Sequence, residues 1–136
     1  MTPPLVFPAG FLWGAATSAL AEWAPDQTAF VPSYLHKAIE AIGSADNKSG
    51  RLLANYVAKY FEDMWRHIER LPLVMDDGAS VHYIVGNSKF YQVLVPVEKV
   101  FCDMLSAAGM QRVGCRTLRK RNSKKELFEF EVFGKK

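Results

Sequence analysis

The tightest constraint in this sequence is a pair of chain connections of unequal kind. Residues 111–119 and 127–133 both read as strands, the second placing Phe128, Phe130 and Val132 on one face and Glu129 and Glu131 on the other. Too few residues separate them for any arrangement but an antiparallel hairpin. Upstream, residues 81–86 form a run that is apolar on both faces, the pattern of a strand inside a parallel sheet. A helical stretch separates this run from residues 111–119. A strand–helix–strand passage implies a right-handed crossover between parallel strands. The two connections together predict a mostly parallel sheet with one antiparallel strand near its edge.

The helices are read from apolar spacing. Leu52, Leu53, Tyr56, Val57, Tyr60, Phe61, Met64, Trp65 and Ile68 recur at helical intervals, while Arg51, Lys59, Glu62, Asp63, Arg66 and Glu69 fall mainly opposite. Pro72 ends this helix, and its aromatic stripe reads as a core face rather than a cofactor site. A shorter helix over residues 32–42 starts at Pro32, which suits a first turn; Leu35, Ala38, Ile39 and Ile42 share one side. Residues 43–50 read as a polar loop, and Asp76-Asp77-Gly78 as a turn. Pro96 opens another helix striped by Val97, Val100, Phe101, Met104, Leu105 and Ala108, with Gly109 as its stop.

Composition marks a boundary near residue 31. Residues 1–30 hold Pro3, Pro4, Pro8 and Pro25 and no Lys or Arg, so all 17 basic residues lie beyond them. We therefore expect an N-terminal leader over residues 1–31 and a folded domain over residues 32–136. With 136 residues, 49% of them hydrophobic and 23% charged, the chain suits one packed domain and not wholesale disorder. The net charge of +3 is concentrated: Arg112, Arg116, Arg119, Lys120, Arg121, Lys124 and Lys125 follow one another with no acid between them. Such a cluster either attracts phosphate or keeps a hairpin tip solvated. Cys102 and Cys115 are too far apart for a CxxC motif and read as two ordinary thiols of a reducing compartment. His36, His67 and His82 fit no zinc spacing, so no metal is assigned. No run approaches the roughly 20 apolar residues of a membrane span. Ala19-Leu20-Ala21 resembles a signal-peptidase site, but the stretch before it lacks the positive charge of a signal peptide. The expected location is cytoplasmic.

Three stretches carry a family resemblance: residues 53–64 (Leu53-Ala54-Asn55-Tyr56-Val57-Ala58-Lys59-Tyr60-Phe61-Glu62-Asp63-Met64), residues 81–91 (Val81-His82-Tyr83-Ile84-Val85-Gly86-Asn87-Ser88-Lys89-Phe90-Tyr91), and Val95-Pro96-Val97-Glu98 with residues 119–127. In this order they resemble the C-terminal half of S-adenosylmethionine-dependent, amino-group DNA methyltransferases of the modification-methylase type. The resemblance implies an α/β fold: part of a class I methyltransferase (Rossmann-like) domain, with a mostly parallel sheet and a C-terminal antiparallel hairpin. It implies methyl transfer from S-adenosylmethionine to a base amino group, on a base flipped out of its duplex. The complete family holds the cofactor on a glycine turn and the target amine beside a Pro-Pro-aromatic motif. This sequence has no GxG, and Thr2-Pro3-Pro4-Leu5 lacks the aromatic. No catalytic residue is therefore carried over, and no cofactor is expected for this chain alone.

What the resemblance offers is a loop beyond a strand's carboxyl end, where open α/β sheets bind ligands. Asn87, Ser88, Phe90 and Tyr91 are its candidate base-binding residues; the alternative is a helix-entry loop in which Asn and Ser only satisfy backbone groups. Arg119, Lys120, Arg121, Lys124 and Lys125 are the candidate DNA-phosphate contacts. The N-terminus is similar to a different family. Residues 7–19, Phe7-Pro8-Ala9-Gly10-Phe11-Leu12-Trp13-Gly14-Ala15-Ala16-Thr17-Ser18-Ala19, resemble the opening of family 1 glycoside hydrolases. Those enzymes need a whole eight-fold barrel and two catalytic carboxylates, so a glycosidase is not expected. Three functions remain: a methyltransferase-derived domain, inactive alone or completed by a partner chain; a small basic nucleic-acid-binding module; and a truncated fragment without function. Self-association through an unpaired strand is expected as well.

Overall fold

The computed structural model describes residues 30–46, 48–121 and 126–136. The expected leader therefore lies outside the described residues except for Phe30 and Val31, and the glycosidase-like segment lies wholly outside them.

Helix α1 (Ser33–Ala45) starts where the proline predicts: the carbonyl of Pro32 accepts hydrogen bonds from the amides of Leu35 and His36, both at 3.0 Å. Its inward face is pinned by Leu35 and Ile42, both fully buried. Helix α2 (Gly50–Arg70) follows almost at once, because the expected loop is shorter than its polar residues suggest. The two helices meet closely at Gly50. A Cβ there would lie 2.8 Å from the carbonyl oxygens of both Ile42 and Gly43, so only glycine fits the crossing. A 3-10 turn, Leu71–Leu73, contains Pro72 and ends α2 as read.

The sheet departs from expectation. Its strands are β1 (Ser80–Gly86), β4 (Gln111–Lys120) and β5 (Phe128–Lys135), in the order β1–β5–β4, and every pairing is antiparallel. No two strands pair in parallel among the described residues, so the expected mostly parallel, Rossmann-like sheet is not what forms. The physical reason lies in β5. Strands β1 and β4 do run the same way, since each is antiparallel to β5. The short hairpin, however, delivers β5 to the edge of β4 that faces β1, and β5 fills the gap between them. There Val132 is fully buried on the inner face. A crossover that predicts parallel direction does not predict adjacency.

Two short strands, β2 (Ser88–Phe90) and β3 (Val93–Val95), form a separate hairpin. It replaces the expected loop leading into a helix. Tyr91 (φ 47°) and Gln92 (φ 66°) make its turn, both left-handed, as a two-residue type I′ turn requires. Neither is the glycine or asparagine that usually signals such a turn.

Helix α3 (Val97–Ala107) lies against all three strands of the sheet and touches α2, which in turn packs on α1. Val100, Phe101, Met104 and Leu105 from α3, Phe61 and Ile68 from α2, and Val132 from β5 make one core. Gly109 stops the helix at φ 90°, with the amide of Met110 donating to the carbonyl of Leu105 at 3.0 Å. The opposite face of the sheet carries a polar ladder. His82 Nδ1 lies 2.8 Å from Glu131 Oε1, Arg116 Nε donates to Glu131 Oε2 at 2.8 Å, and Arg119 Nε donates to Glu129 Oε2 at 2.6 Å. Among the described residues no helix is long and apolar enough to cross a membrane.

The crossing at Gly50 gives a direct test. Gly50→Ala should destabilise the domain by about 1–3 kcal/mol, the usual cost of overpacking a rigid contact, although alanine is the better helix former. A thermal unfolding midpoint equal to or above that of the native chain would contradict it.

Candidate ligand groove at the end of the first strand

The carboxyl end of β1 opens into a groove of about 320 Å³. One wall is α2, through Tyr56, Val57, Tyr60 and Phe61. The other is Ile84, Val85 and Gly86 of β1, continued by Ser88 and Phe90 of β2, with Val95 and Val97 at the base. The groove exists because the apolar stripe of α2 divides. Val57 and Phe61 turn into the core, while Tyr56 and Tyr60 remain 52% and 40% exposed. Tyr60 is held from behind by aromatic contact: its ring stacks at 6.4 Å on Phe101 and meets Phe61 edge-on at 5.1 Å. Nearby, Tyr83 packs edge-on against Phe101 and its hydroxyl lies 2.7 Å from His67 Nε2. The groove thus has aromatic walls, an apolar floor and a few polar groups at its rim.

The candidate base-binding residues separate. Ser88 and Phe90 line the groove. Asn87 does not; it is buried at 4% exposure and works as a clamp. Its Nδ2 donates to the carbonyl of Glu126 at 2.8 Å, its Oδ1 accepts from the amide of Phe128 at 2.9 Å, and its own carbonyl accepts from Arg121 Nη1 at 3.1 Å. Lys89 adds an ion pair to Glu126 at 2.7 Å. These contacts tie the end of β1 and the start of β2 to the beginning of β5. Tyr91 sits at the hairpin tip with its hydroxyl donating to Asp46 Oδ2 at 3.2 Å. Tyr56 and Tyr60 were missed by sequence reasoning, which assigned the whole stripe to the core. Their one signal was a phenol at each of two positions a helical turn apart.

Two of the five candidate DNA contacts, Arg119 and Arg121, are engaged within the fold. Arg119 makes two bonds to Glu129, at 2.6 and 3.0 Å, and Arg121 reaches back to Asn87. Lys120 is exposed, whereas Lys124 and Lys125 lie outside the described residues. The acids of β5 therefore neutralise much of the charge that stands alone in the sequence of β4. The Arg119 guanidinium holds Glu129 below the usual glutamate range. Glu131 is lowered in the same sense, first by its hydrogen bond to His82 and then by that to Arg116.

Cys102 of α3 and Cys115 of β4, remote in sequence, lie within hydrogen-bonding contact. Burial, reinforced by Cys115 and Asp103, pushes the Cys102 thiol up to about 11. It stays protonated at neutral pH and is a poor nucleophile. Among the described residues no group of three His, Cys, Asp or Glu side chains is placed to hold a metal ion. What the groove can do is bind: stack a flat ring against tyrosine or phenylalanine and offer hydroxyls to its edge.

Two expectations follow from these contacts. Asn87→Ala leaves the amide of Phe128 and the carbonyl of Glu126 without partners and should cost about 1–3 kcal/mol of stability; a chain unchanged in denaturant midpoint would contradict the clamp. Glu129 and Glu131 have folded-state pKa values below their ordinary value of 4.5. Their contribution is present above that value and is lost as pH falls through the lowered folded-state values. Acid unfolding below about pH 4.5 should be less steep in a Glu129→Gln, Glu131→Gln chain, and identical acid profiles would show that the ladder contributes nothing.

No family model matches this chain, and no curated protein or solved structure matches it either.

Proposed function

We propose that the groove receives a single flat nucleobase, in the role that the methyltransferase resemblance gives to the loop after this strand, and that the chain alone transfers no methyl group. The supporting observation is a convergence. Ser88 and Phe90, picked out by the resemblance, stand opposite Tyr56 and Tyr60, picked out only by the fold, in a groove of about 320 Å³. That volume lies at the small end of ligand sites. Aromatic faces are what an unstacked base exchanges for its lost neighbours. S-adenosylmethionine remains the cofactor of the complete family, not of this chain, because the sequence contains neither the glycine turn nor the Pro-Pro-aromatic motif. The base belongs to DNA on this reading, with Lys120 beside its backbone adding affinity without sequence choice. The wider role is that of a methyltransferase-derived binding domain that needs a completing chain for chemistry.

Nuclear magnetic resonance titration with adenosine and cytidine tests this. Binding should move the amide signals of Ser88, Phe90 and Tyr60 with millimolar-range affinity. Tyr60→Ala should weaken it by roughly 1–3 kcal/mol, the usual worth of one base–aromatic stack. Unperturbed signals at these residues with saturating nucleoside would refute the proposal.

A further inference from the structure

We infer that β1 is an assembly edge and that its occupant is β1 of a second copy, running antiparallel to it about Tyr83. This goes beyond the base-binding reading and does not depend on it.

The sheet has two outer edges, and they are built differently. The β4 edge is defended. Its register with β5 breaks twice, between Gln111 and Gly114 and again between Thr117 and Arg119, and Arg112 is left-handed at φ 50°. Its side chains include Arg112, Arg116, Arg119 and Lys120, all exposed. Bulges and like charges are the devices that stop a strand from accepting a neighbour. The β1 edge has neither. Its register with β5 is unbroken from Ser80 to Gly86, and it contains no Asp, Glu, Lys or Arg. Among the described residues it pairs on one side only. Ile84 at 63% exposure, with Tyr56 and Tyr60 across the groove, leaves apolar surface beside that free side.

The same asymmetry selects the occupant. Two β4 edges would set arginines against arginines. A β1 edge on a β4 edge would have to follow an irregular ladder and would leave further edges open at both ends. Two β1 edges meet without charge conflict and close on themselves, as a two-fold interface must. Centring the pair on Tyr83 sets Val81 against Val85 of the other copy, and His82 against Ile84. The result is one continuous sheet in the order β4–β5–β1–β1–β5–β4. The α2 helices then lie on the same side of that sheet.

Sedimentation velocity of the full chain across a concentration series, together with directed crosslinking, tests the inference. A reversible dimer is expected, and Ile84→Lys, a change at a 63% exposed position of the pairing strand, should raise its dissociation constant about tenfold, since it sets a lysine against His82 of the other copy at two places in the pair. In a Cys115→Ser background, the variant carrying His82→Cys and Ile84→Cys should form an intermolecular disulfide under mild oxidation, whereas His82→Cys alone should not. A chain that stays monomeric at high concentration overturns the inference. So does a dimer that neither weakens with Ile84→Lys nor crosslinks between positions 82 and 84, because it must then use another surface. Should Ile84→Lys prevent folding, the crosslinking pair decides alone. Nucleoside titration of the unaltered chain, diluted below the concentration at which it dimerises, separates this result from the base-binding reading, since a groove complete in one copy still binds.

Discussion

The structure depends on β5 pairing along both of its sides. Strand β1 has no other partner among the described strands, and neither has β4. Remove β5 and the sheet is gone, and with it the surface on which α3 rests. The strand suits that place. Val132 faces the core at full burial, flanked on that face by Phe130 and Gly134, while Glu129 and Glu131 on the other side reach the arginines of β4 and His82 of β1. Its two faces thus answer different needs: apolar volume toward the helices, and opposite charge toward its neighbours. Cross-strand pairs of this kind, each worth only a fraction of a kcal/mol to about 1 kcal/mol, set register as much as stability.

Local elements were legible in the sequence, and their spatial neighbours were not. The stripe from Leu52 to Ile68, the proline starts, the stop at Gly109 and the alternation in β5 are short-range signals, and each element lies where those signals put it. The sheet order is a long-range property. Nothing in residues 81–86 or 111–120 says whether they touch or are separated by a third strand, so a rule that gives direction was taken to give contact. The β2–β3 hairpin failed for another reason. Its turn residues, Tyr91 and Gln92, take left-handed backbone angles without the glycine or asparagine that normally betrays them.

The site was half legible on the same grounds. Ser88 and Phe90, candidates by position after a strand, line the groove; Asn87, a candidate by the same rule, takes the alternative part of satisfying backbone groups. Sequence cannot separate these roles, because an amide that binds a ligand and one that binds two backbone groups are the same residue. Tyr56 and Tyr60 show the converse. Helical periodicity marks a face as apolar without saying what covers it, and here part of the face is left to a groove. Cys102 and Cys115 read as two ordinary thiols in the sequence, and only the packing of α3 on β4 brings them together.

The central place of β5 also fixes when the sheet can form. Strands leave the ribosome in chain order, so β1 and β4 emerge before the strand that joins them. Until then the nascent chain has helices and the small β2–β3 hairpin but no three-stranded ladder to close, and the contact from β1 to β5 spans most of the distance between the two ends of the sheet-forming region. Such a distant pairing is a slow step that waits on a loop-closure entropy already spent. During that interval the backbone N–H and C=O groups on both edges of β1 lack partners, and the neutral character that suits this strand to pairing leaves it the segment most dependent on the prompt arrival of β5.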